Sequence, residues 1–322
     1  MMARCIRCGR RAVVRLRYAR ASFCQEHFVE YVENRVLKTV EKFGMFREGD
    51  RVLVAVSGGK DSLTLLHAVS KLDGVDVLPM FIDLGISGYS EECLRTCEEA
   101  CENLGLELNV YDLKSKHGFT VDDLARLEPK LGRPVCSSCG LVKRYVLNEA
   151  ALELEATCLA TGHTLDDESA YTLHNILTGS LDQLLRGGPV LEERHPKLVR
   201  KVKPLYEVSA FETGEYCRLS GITTVSSPCP YRVEKVLELK EMLGHVEDVR
   251  PGVRLGFMRF YLKKLKPALL EVYGQEAGEV GSCRVCGFPT SRDVCSFCRL
   301  KERVLELLSC LLYTSPSPRD RG

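Results

Sequence analysis

A glycine-rich run with the sequence SGGKDS occupies residues 57–62 and carries the groups of a phosphate-binding loop. Two glycines let the backbone pass close to an anion. The hydroxyls, the Lys60 ammonium and the first N–H groups of a following helix direct positive charge at it. The run differs from the loop of kinases and GTPases, which has the pattern G-x4-G-K-[ST], because Asp61 stands between the lysine and the serine. The alternative interpretation is an ordinary glycine-rich turn between a strand and a helix.

Sixteen cysteines, many of them in C-x2-C pairs, predict bound metal rather than disulfides in a cytosolic chain. Two sets combine close pairs of soft ligands, as a tetrahedral structural zinc site requires. The first set is Cys5, Cys8, Cys24 and His27. The second set is Cys283, Cys286, Cys295 and Cys298. The segment between the two pairs of the first set, RRAVVRLRYARASF, is typical of a hairpin, and so short a module needs its metal to fold.

Three further cysteines form an incomplete ligand set. Cys136 and Cys139 make a C-x2-C unit with no second pair nearby, and Cys229 lies between two prolines that fix its backbone. Three thiolates are one short of a saturated tetrahedral or cubane site and would leave a coordination position open for chemistry. Lys143 follows Cys139 by one helical turn and shares its face if the helix begins at about Ser138. It would pair there with phosphate or with a negative cluster, or else be an ordinary solvated lysine.

The elements that position these groups alternate between strands and helices. RVLVAV precedes the glycine-rich loop as a buried strand, and apolar residues recur at helical spacing after it. VDVLPMFIDLGI and LELNVYDL are the next two strands, and ATCLATGH is a fourth. The pattern predicts an α/β fold with an open parallel sheet, in which ligands bind at the carboxyl ends of the strands.

Acidic residues follow the fourth of these strands in the run GHTLDDE, residues 162–168. Carboxylates at the end of a strand can hold Mg²⁺ against phosphates or accept hydrogen bonds from a sugar. The alternative is equally physical, because Asp and Glu favour the first turn of a helix for its dipole alone.

Other cysteines are expected to pack in the core. Cys93, Cys97 and Cys101 recur at i, i+4 and i+8 on a predicted helix, which suggests a metal site at first sight. They share one face with apolar residues while the glutamates lie elsewhere, so core packing is the better interpretation. Cys158 and Cys217 are interpreted in the same way.

Composition and charge narrow the class of protein. The chain has 322 residues, enough for one large domain or two modest ones, and no apolar run approaches the roughly 18 residues that cross a bilayer. The arginine-rich start is no signal peptide, so we expect a cytoplasmic protein without membrane contact.

The net charge of +1 does not indicate a nucleic-acid binder by itself. Two basic runs, Arg4 to Arg20 and Arg194 to Lys203, are either solvated faces or patches for a partner that is bound and released.

The expected organisation is an N-terminal zinc finger at residues 1–30, a catalytic domain at 31–275 and a C-terminal zinc finger at 280–308. Residues 310–322 break with the preceding composition and resemble translated adapter read-through. They are therefore left out of the fold prediction, and Cys310 is given no role.

Taken together, the motifs resemble those of the tRNA 2-thiouridine synthetases with two zinc fingers, within the ATP pyrophosphatase (PP-loop) superfamily. The resemblance runs from residue 3 to about 305 and includes both ligand sets, SGGKDS, CSSCGLVKRY, TGHTLDDE, RKVKPL and CPY. CSSCGLVKRY and RKVKPL look most like the enzymes that thiolate 5-methyluridine at position 54 of tRNA. Relatives that act on the wobble uridine at position 34 share the fingers and remain an alternative. Thr164 departs from the family, which commonly has Asn in this slot.

The resemblance implies a [4Fe–4S] cluster on Cys136, Cys139 and Cys229, with one iron lacking a protein ligand. It implies that ATP with Mg²⁺ adenylates the uracil C2 oxygen, and that sulfur from the C-terminal thiocarboxylate of a ubiquitin-like carrier passes through the open iron. It also implies a homodimer and makes Lys143 and Asp167 catalytic candidates. The nucleotide contacts that it assigns are Ala55, Ser57, Gly58, Gly59, Lys60, Asp61, Ser62, Asp83, Ile86, Lys143, Gly162 and Asp167.

Two functions of other classes compete with this one. A zinc-finger RNA-binding protein with a degenerate nucleotide fold is disfavoured by the intact SGGKDS and by Asp167. An amide-forming ATP pyrophosphatase for a small molecule leaves Cys136, Cys139 and Cys229 unexplained.

Overall fold

The first elements are a hairpin and a long helix. The computed structural model of the protein describes residues 3–232, 235–274 and 281–313. Strand β1 (Val14–Leu16) pairs antiparallel with β2 (Ala21–Phe23), as the alternating pattern predicts. Helix α1 (Gln25–Phe43) follows and ends at Gly44, whose φ of 56° is the left-handed conformation typical of a helix C-terminus.

Strands and helices then alternate along the chain. The strands are β3 (Asp50–Val56), β4 (Val75–Asp83), β5 (Asn109–Asp112), β6 (Cys158–Ala160), β7 (Val190–Leu191) and β8 (Arg200–Val202). The helices up to the end of this region are α2 (Lys60–Val69), α3 (Tyr89–Leu104), α4 (Leu113–His117), α5 (Val121–Leu131), α6 (Val135–Glu153), α7 (Leu165–Leu177), α8 (Leu181–Arg186) and α9 (Ala210–Ser220). Each of the four strands predicted from the sequence is present.

One sheet joins these strands in the order β5-β4-β3-β6-β8-β7. All neighbours are parallel except β7, which pairs antiparallel with β8 at the edge. The predicted parallel sheet is therefore confirmed for five strands, and the antiparallel edge strand is an addition that the sequence pattern did not reveal. The strand order reverses between β3 and β6, which is where open α/β sheets bind ligands.

Helices cover both faces of the sheet, which explains the continuous apolar character of its central strand. Val52, Val54 and Val56 of β3 enter one core together with residues of α1, α2, α3 and α9. Leu53, between them, enters a second core with residues of α5 and α6. Parallel strands buried on both faces have this composition.

The second basic run was interpreted as either a solvated face or a patch for a partner, and its centre is neither. Its centre is strand β8, where Arg200 is buried and pairs with buried Asp50 at 2.5 Å. Lys203 follows the strand and pairs with Glu168 at 2.7 Å. Arg200 and Lys203 are thus unavailable to a partner, and only the remaining residues of the run can contact one.

The chain ends in a helical segment and a second small module. The helices are α10 (Lys235–Val249), α11 (Val253–Phe260), a π-helical turn (Tyr261–Leu265), α12 (Lys266–Tyr273) and α13 (Ser296–Tyr313). Strands β9 (Gly281–Ser282) and β10 (Pro289–Thr290) form a short antiparallel hairpin. Helix α13 packs on α5 and α6, and it continues past residue 310, where the composition of the sequence breaks. Within the described ranges, no helix is both long enough and apolar enough to cross a membrane.

Candidate active site and metal centres

The glycine-rich loop joins β3 to α2 at the point where the strand order reverses. Gly58 has φ +74°, and a Cβ there would lie 2.7 Å from Cγ2 of Val225 and 3.2 Å from the carbonyl oxygen of Cys93. Glycine is therefore required at residue 58 by conformation and by space. Gly59 has ordinary extended backbone, and the nearest atom to its Cβ position is Ser57 Oγ at 3.7 Å. Its missing side chain leaves room beside the N-terminus of α2, as a phosphate cradle needs.

Gly162 follows β6 and lies against the same loop. A Cβ on Gly162 would stand 3.1 Å from the carbonyl carbon of Asp61 and 3.1 Å from both N and Cα of Ser62. These are backbone atoms at the start of a helix and cannot rotate away. The structure thus brings Gly162 against the glycine-rich loop, while its assigned contact with the nucleotide stays a prediction.

Polar groups within the loop hold its shape. The Ser57 N–H donates to Ser62 Oγ at 3.1 Å, and that hydroxyl donates to the carbonyl oxygen of Gly59 at 2.9 Å. Lys60 Nζ pairs with Asp61 Oδ1 at 2.6 Å. The loop is closed by its own side chains, so its N–H groups keep their direction without a ligand.

Helix α6 begins at Val135, three residues earlier than the start at about Ser138 that we predicted. Pro134 immediately precedes the first helical residue, and proline is tolerated at this end of a helix because its missing N–H is not needed there. The earlier start includes Cys136 in the helix, so that Cys136, Cys139 and Lys143 follow one another at i, i+3 and i+7 on one face.

Cys229 reaches the same region from a loop that is fastened to two other elements. Tyr231 Oη donates to Asp122 Oδ1 of α5 at 2.8 Å. The other oxygen of Asp122 accepts from the N–H of Ser87 at 3.0 Å and from its hydroxyl at 2.7 Å. The rigidity expected from the two flanking prolines is thereby extended to the neighbouring residues.

Charge effects on the pKa values of two thiols identify the neighbours of these thiols. Burial raises the pKa of the Cys139 thiol, Cys229 and Cys136 raise it further, and the Lys143 ammonium opposes them. Lys143 and Cys229 likewise act on the pKa of Cys93, which burial raises. Charges influence one another in this way only at short range. Cys136, Cys229 and Lys143 are therefore all neighbours of Cys139.

The three thiols do not have the tight spacing of a single-ion site. Among the described residues, only the two predicted zinc sets bring their donor atoms within 4.8 Å of one another. A cluster binds each thiolate through a different iron atom, so its ligands stand farther apart than ligands around one ion. Cys136 is exposed and the other two are partly exposed, which leaves the site accessible. The donor chemistry of three thiolates fits a polynuclear iron–sulfur group.

The acidic run after β6 is already paired with cations. Asp166 pairs with Arg254 and Glu168 with Lys203. Asp167 pairs with Lys240, whose charge opposes the effect of burial and holds the pKa of that carboxyl below its usual range. The side chain of Asp167 also accepts from the N–H of Thr164 at 2.9 Å in a capping box. This run is not a free carboxylate cluster for Mg²⁺, and the cations that occupy it were missed because Lys240 and Arg254 lie more than 70 residues away.

The other assigned nucleotide contacts lie along the same edge of the sheet. Ala55 is partly exposed near the end of β3. Asp83 ends β4, and its Oδ1 accepts from the N–H of Gly85 at 2.8 Å. Ile86 is buried beneath this turn. Ala55 thus lies near the carboxyl end of β3, and Asp83 and Ile86 lie at the carboxyl end of the neighbouring strand β4. Their contact with a nucleoside stays a prediction.

The N-terminal ligand set converges as a tetrahedral metal requires. Cys8 Sγ lies 3.7 Å from Cys24 Sγ, and His27 Nδ1 lies 3.5 Å from Cys5 Sγ and 3.2 Å from Cys24 Sγ. Thiolates at the usual metal–sulfur distance around one tetrahedral ion are about 3.8 Å apart. Burial raises the pKa of Cys5, but N–H groups of Cys24 and neighbouring residues outweigh it and hold the pKa at about 6, which favours the thiolate.

The C-terminal set has the same geometry. Cys286 Sγ lies 3.7 Å from Cys295 Sγ, and the Cys295 N–H donates to Cys283 Sγ at 3.2 Å. Burial raises the pKa of Cys283, while N–H groups of Cys295 and Cys286 outweigh it and hold the pKa at about 6. Cys298 lies in the first turn of α13. The first set has three cysteines and one histidine and the second has four cysteines, but both have N–H groups directed at a sulfur.

The cysteines that we expected in the core are there. Cys93, Cys97 and Cys101 are buried in one cluster with Cys158, and Cys217 is also buried. Cys217 Sγ donates to the carbonyl oxygen of Lys60 at 3.4 Å, beneath the phosphate loop. The prediction that they pack as small apolar residues is confirmed.

The strand order, the loop between β3 and α2 and the glycine that closes on it together define a nucleotide-binding protein of the PP-loop class. In agreement, the family model of the PP-loop domain matches residues 29–229. The model of the 2-thiouridine synthetase TtuA N-terminal LIM domain matches residues 4–29.

Comparison with similar proteins shows which family within the PP-loop class this chain belongs to. The chain is 41% identical to a tRNA-5-methyluridine(54) 2-sulfurtransferase of Thermus thermophilus over 93% of this chain and 91% of the relative. It is 38% identical to a protein of the same name from Pyrococcus horikoshii, over 92% and 93% of the two chains. The solved structure of the U34-tRNA thiolase NcsA from Methanococcus maripaludis with its [4Fe-4S] cluster superposes with a TM-score of 0.78 at 25% identity, covering 94% of this chain and 97% of that one. The chain belongs to the tRNA 2-thiouridine synthetase family.

Proposed function

We propose that this chain is an ATP-dependent sulfurtransferase that replaces the C2 oxygen of 5-methyluridine 54 in tRNA with sulfur. The observation that carries the proposal is that the phosphate loop and the three-cysteine site adjoin. The carbonyl oxygen of Cys93 lies against Gly58 of the loop, while Cys93 is within electrostatic reach of Cys229 and Lys143. Activation of an oxygen and delivery of sulfur can therefore take place on one bound base.

The reaction follows from this adjacency. The C2 oxygen attacks the α-phosphorus of ATP, an O–P bond forms, and pyrophosphate leaves. A sulfur nucleophile then adds at C2, and the C–O bond breaks so that AMP departs with the original oxygen. The loop N–H groups and Lys60 hold the charge of the leaving pyrophosphate. Lys143, which faces the thiols, is suited to stabilise negative charge on the α-phosphate or on sulfur.

Cys136, Cys139 and Cys229 would hold a [4Fe–4S] cluster. Such a group, bound by three thiolates, supplies an iron with a free position at which sulfur can bind. The chain's own contribution is to fix the three thiols on α6 and on the Pro-Cys-Pro loop and to present Lys143 beside them. The two four-ligand sets would hold structural Zn²⁺, because each provides four soft donors and no open position.

ATP would bind with Mg²⁺ at the loop. Asp61 is the acidic group best suited to meet that ion. Within the described part of the chain only its Oδ1 is engaged, by Lys60 and Thr213, whereas both oxygens of each carboxylate in the run after β6 are engaged. Asp167 is retained as a candidate through its contact with Lys240, which could bring that ammonium to the phosphates. The assignment of all twelve nucleotide contacts rests on the family's motifs together with their position at this edge.

The proposed partners are tRNA and a ubiquitin-like carrier that ends in a thiocarboxylate. We also propose a homodimer and a cytoplasmic location, where thiols remain reduced. Arginines of the N-terminal module are the strongest candidates for tRNA contact. Arg11, Arg15 and Arg20 are exposed and form no ion pair within the described part of the chain.

A second candidate is thiolation of uridine 34. The structural likeness to NcsA, a U34-tRNA thiolase, favours it. The higher identity to two enzymes named for 5-methyluridine 54, over more than nine-tenths of this chain, favours position 54.

The test is a single-turnover assay under nitrogen with reconstituted enzyme, ATP, tRNA and inorganic sulfide. Nucleosides from the digested tRNA are separated by mass, and pyrophosphate is measured in parallel. We expect 5-methyl-2-thiouridine to form in step with pyrophosphate, and to be lost with tRNA carrying cytidine at position 54. Thiolated uridine that survives this change and disappears with a change at position 34 would support the second candidate. Pyrophosphate release without tRNA, and no thionucleoside, would refute both.

A further inference from the structure

A buried hydroxyl on α9 contacts both charged residues of the phosphate loop. Thr213 Oγ1 donates to Asp61 Oδ1 at 2.5 Å and accepts from Lys60 Nζ at 3.1 Å. Thr213 is fully buried, whereas Lys60 and Asp61 are about one-third exposed. The two residues thus meet the protein interior at Thr213 and face solvent on the other side.

Without the Thr213 hydroxyl, Lys60 and Asp61 would not be held in a single arrangement. They are adjacent in sequence and pair at 2.6 Å, and partly exposed ion pairs of this kind can exchange among several geometries. Thr213 satisfies Asp61 Oδ1 and one of the three Lys60 protons at the same time. In the described contacts, Asp61 Oδ2 then remains available as an acceptor and Lys60 retains a free proton.

Thr213 is itself held rigidly, because the neighbouring Glu212 anchors the first turn of α9. Glu212 Oε2 accepts from the N–H of Ser209 at 2.8 Å and from its hydroxyl at 2.7 Å, completing a capping box. The other oxygen accepts from Tyr18 Oη, in the hairpin of the N-terminal module, at 2.5 Å. Glu212 is fully buried, and Arg35 of α1 lies 3.9 Å from it. Successive residues of α9 therefore contact the N-terminal module and the phosphate loop.

We propose that Thr213 is a positioning residue of the ATP site, which holds Asp61 Oδ2 and the free Lys60 proton toward the metal and phosphates of the bound nucleotide. The inference rests on the proposed function, because it requires this loop to bind ATP. Thr213 does not touch the nucleotide itself. Its effect is to remove the alternative pairings of Lys60 and Asp61 that ATP would otherwise have to break.

The test compares Thr213→Val, which keeps the shape of the side chain and loses the hydroxyl, with Thr213→Ser, which keeps the hydroxyl. Mg–ATP affinity of the anaerobically prepared full chain is measured by calorimetry, and the thermal midpoint is measured without nucleotide. We expect Thr213→Val to bind Mg–ATP about tenfold more weakly, as the loss of a hydrogen bond to a charged group predicts. We expect Thr213→Ser to bind within about twofold of wild type. In the thiolation assay, Thr213→Val should raise KM for ATP more than it lowers kcat.

Two results would overturn the inference. One is wild-type affinity in Thr213→Val. The other is an equal loss of affinity in both variants that follows their loss of thermal stability, since this would mean that Thr213 only packs. Failure of the wild-type chain to bind Mg–ATP would instead refute the proposed function. The two failures are distinguishable because the affinity of the wild-type chain is measured before that of the variants.

Discussion

Tyr145 of α6 and Phe297 of α13 stack face to face, with ring centroids 3.6 Å apart and an interplanar angle of 7°. Tyr145 lies in the helix that begins with two of the three lone cysteines, and Phe297 stands between two ligands of the C-terminal metal set. The ring of His117 packs edge-on against Phe297 at 5.0 Å. The C-terminal module therefore supports the helix that carries the cysteine site, and its own four cysteines could hold a metal ion.

This support can be removed by Phe297→Ala. We expect a loss of about 3 kcal/mol in the free energy of unfolding, as for other buried phenylalanines, and a lower iron content because α6 is no longer held. Tyr145→Phe is the matched control, since it keeps the stack and loses only the 3.1 Å hydrogen bond to Glu149. Iron per chain and denaturant unfolding are measured for both. Full iron content in folded Phe297→Ala would show that the module does not support the cysteine site.

Gly162→Ala tests the contact that closes the phosphate loop. The added Cβ would meet three backbone atoms at 3.1 Å, so the start of α2 must shift by a few tenths of an ångström. We expect Mg–ATP to bind at least tenfold more weakly while the fold survives, because phosphate cradles depend on the exact direction of their N–H groups.

The control is Gly256→Ala in α11, where a Cβ would meet nothing within 4 Å. Alanine there should leave ATP affinity unchanged and raise stability by about 0.5–1 kcal/mol through helix propensity. Calorimetric titration with Mg–ATP measures both variants. Equal affinities in the two would mean that the close approach of Gly162 has no bearing on nucleotide binding.

A pH dependence is expected from Lys201. It pairs with Leu159 across the sheet, and burial, followed by the charges of Arg144 and Lys203, lowers the pKa of Lys201 to about 8. The folded state thus releases this proton more readily than the unfolded state, whose lysine has a pKa near 10.5. Between these values the unfolded state binds more protons, so this group makes stability rise with pH. Below about pH 8 the folded state carries the full cost of the buried charge.

Lys201→Met should accordingly be more stable than wild type at pH 7, by at most about 3 kcal/mol. The difference should shrink as the pH rises from 8 and vanish near 10.5. Urea unfolding of the two chains across this pH range measures the difference between their free energies of unfolding. The contributions of the other titrating groups are the same in both chains and cancel in this difference. Two curves that stay parallel up to pH 10.5 would show that Lys201 does not titrate in this way.

The sequence was most informative where the signal is local. The phosphate loop, its strand and helix, the hairpin between ligand pairs and the buried cysteines follow from short patterns, and each is found. The failures concern partners that are distant in the chain. Arg200 looked like part of a solvated basic run because Asp50 lies 150 residues away, and the paired state of Asp167 depends on Lys240, 73 residues away.

The role of Thr213 could not be found from the sequence at all. It is one threonine in a predicted helix, and only the packing of α9 on α2 brings its hydroxyl to Lys60 and Asp61. The start of α6 was predicted three residues late for another reason. We predicted a helix that begins inside the C-x2-C unit, at about Ser138, although a proline at residue 134 is compatible with a helix that begins directly after it.

Ten of the sixteen cysteines are assigned here to two closed sites and one open site. The most direct test is to count metals and acid-labile sulfide in the chain prepared without oxygen. The assignment predicts about two zinc and about four iron per chain, with matching sulfide. In Cys229→Ser the iron and the thiolation activity should be lost while zinc and Mg–ATP binding remain, and Cys101→Ala, a core control, should keep all four. Zinc alone in an active anaerobic preparation, or full activity in Cys229→Ser, would contradict the account.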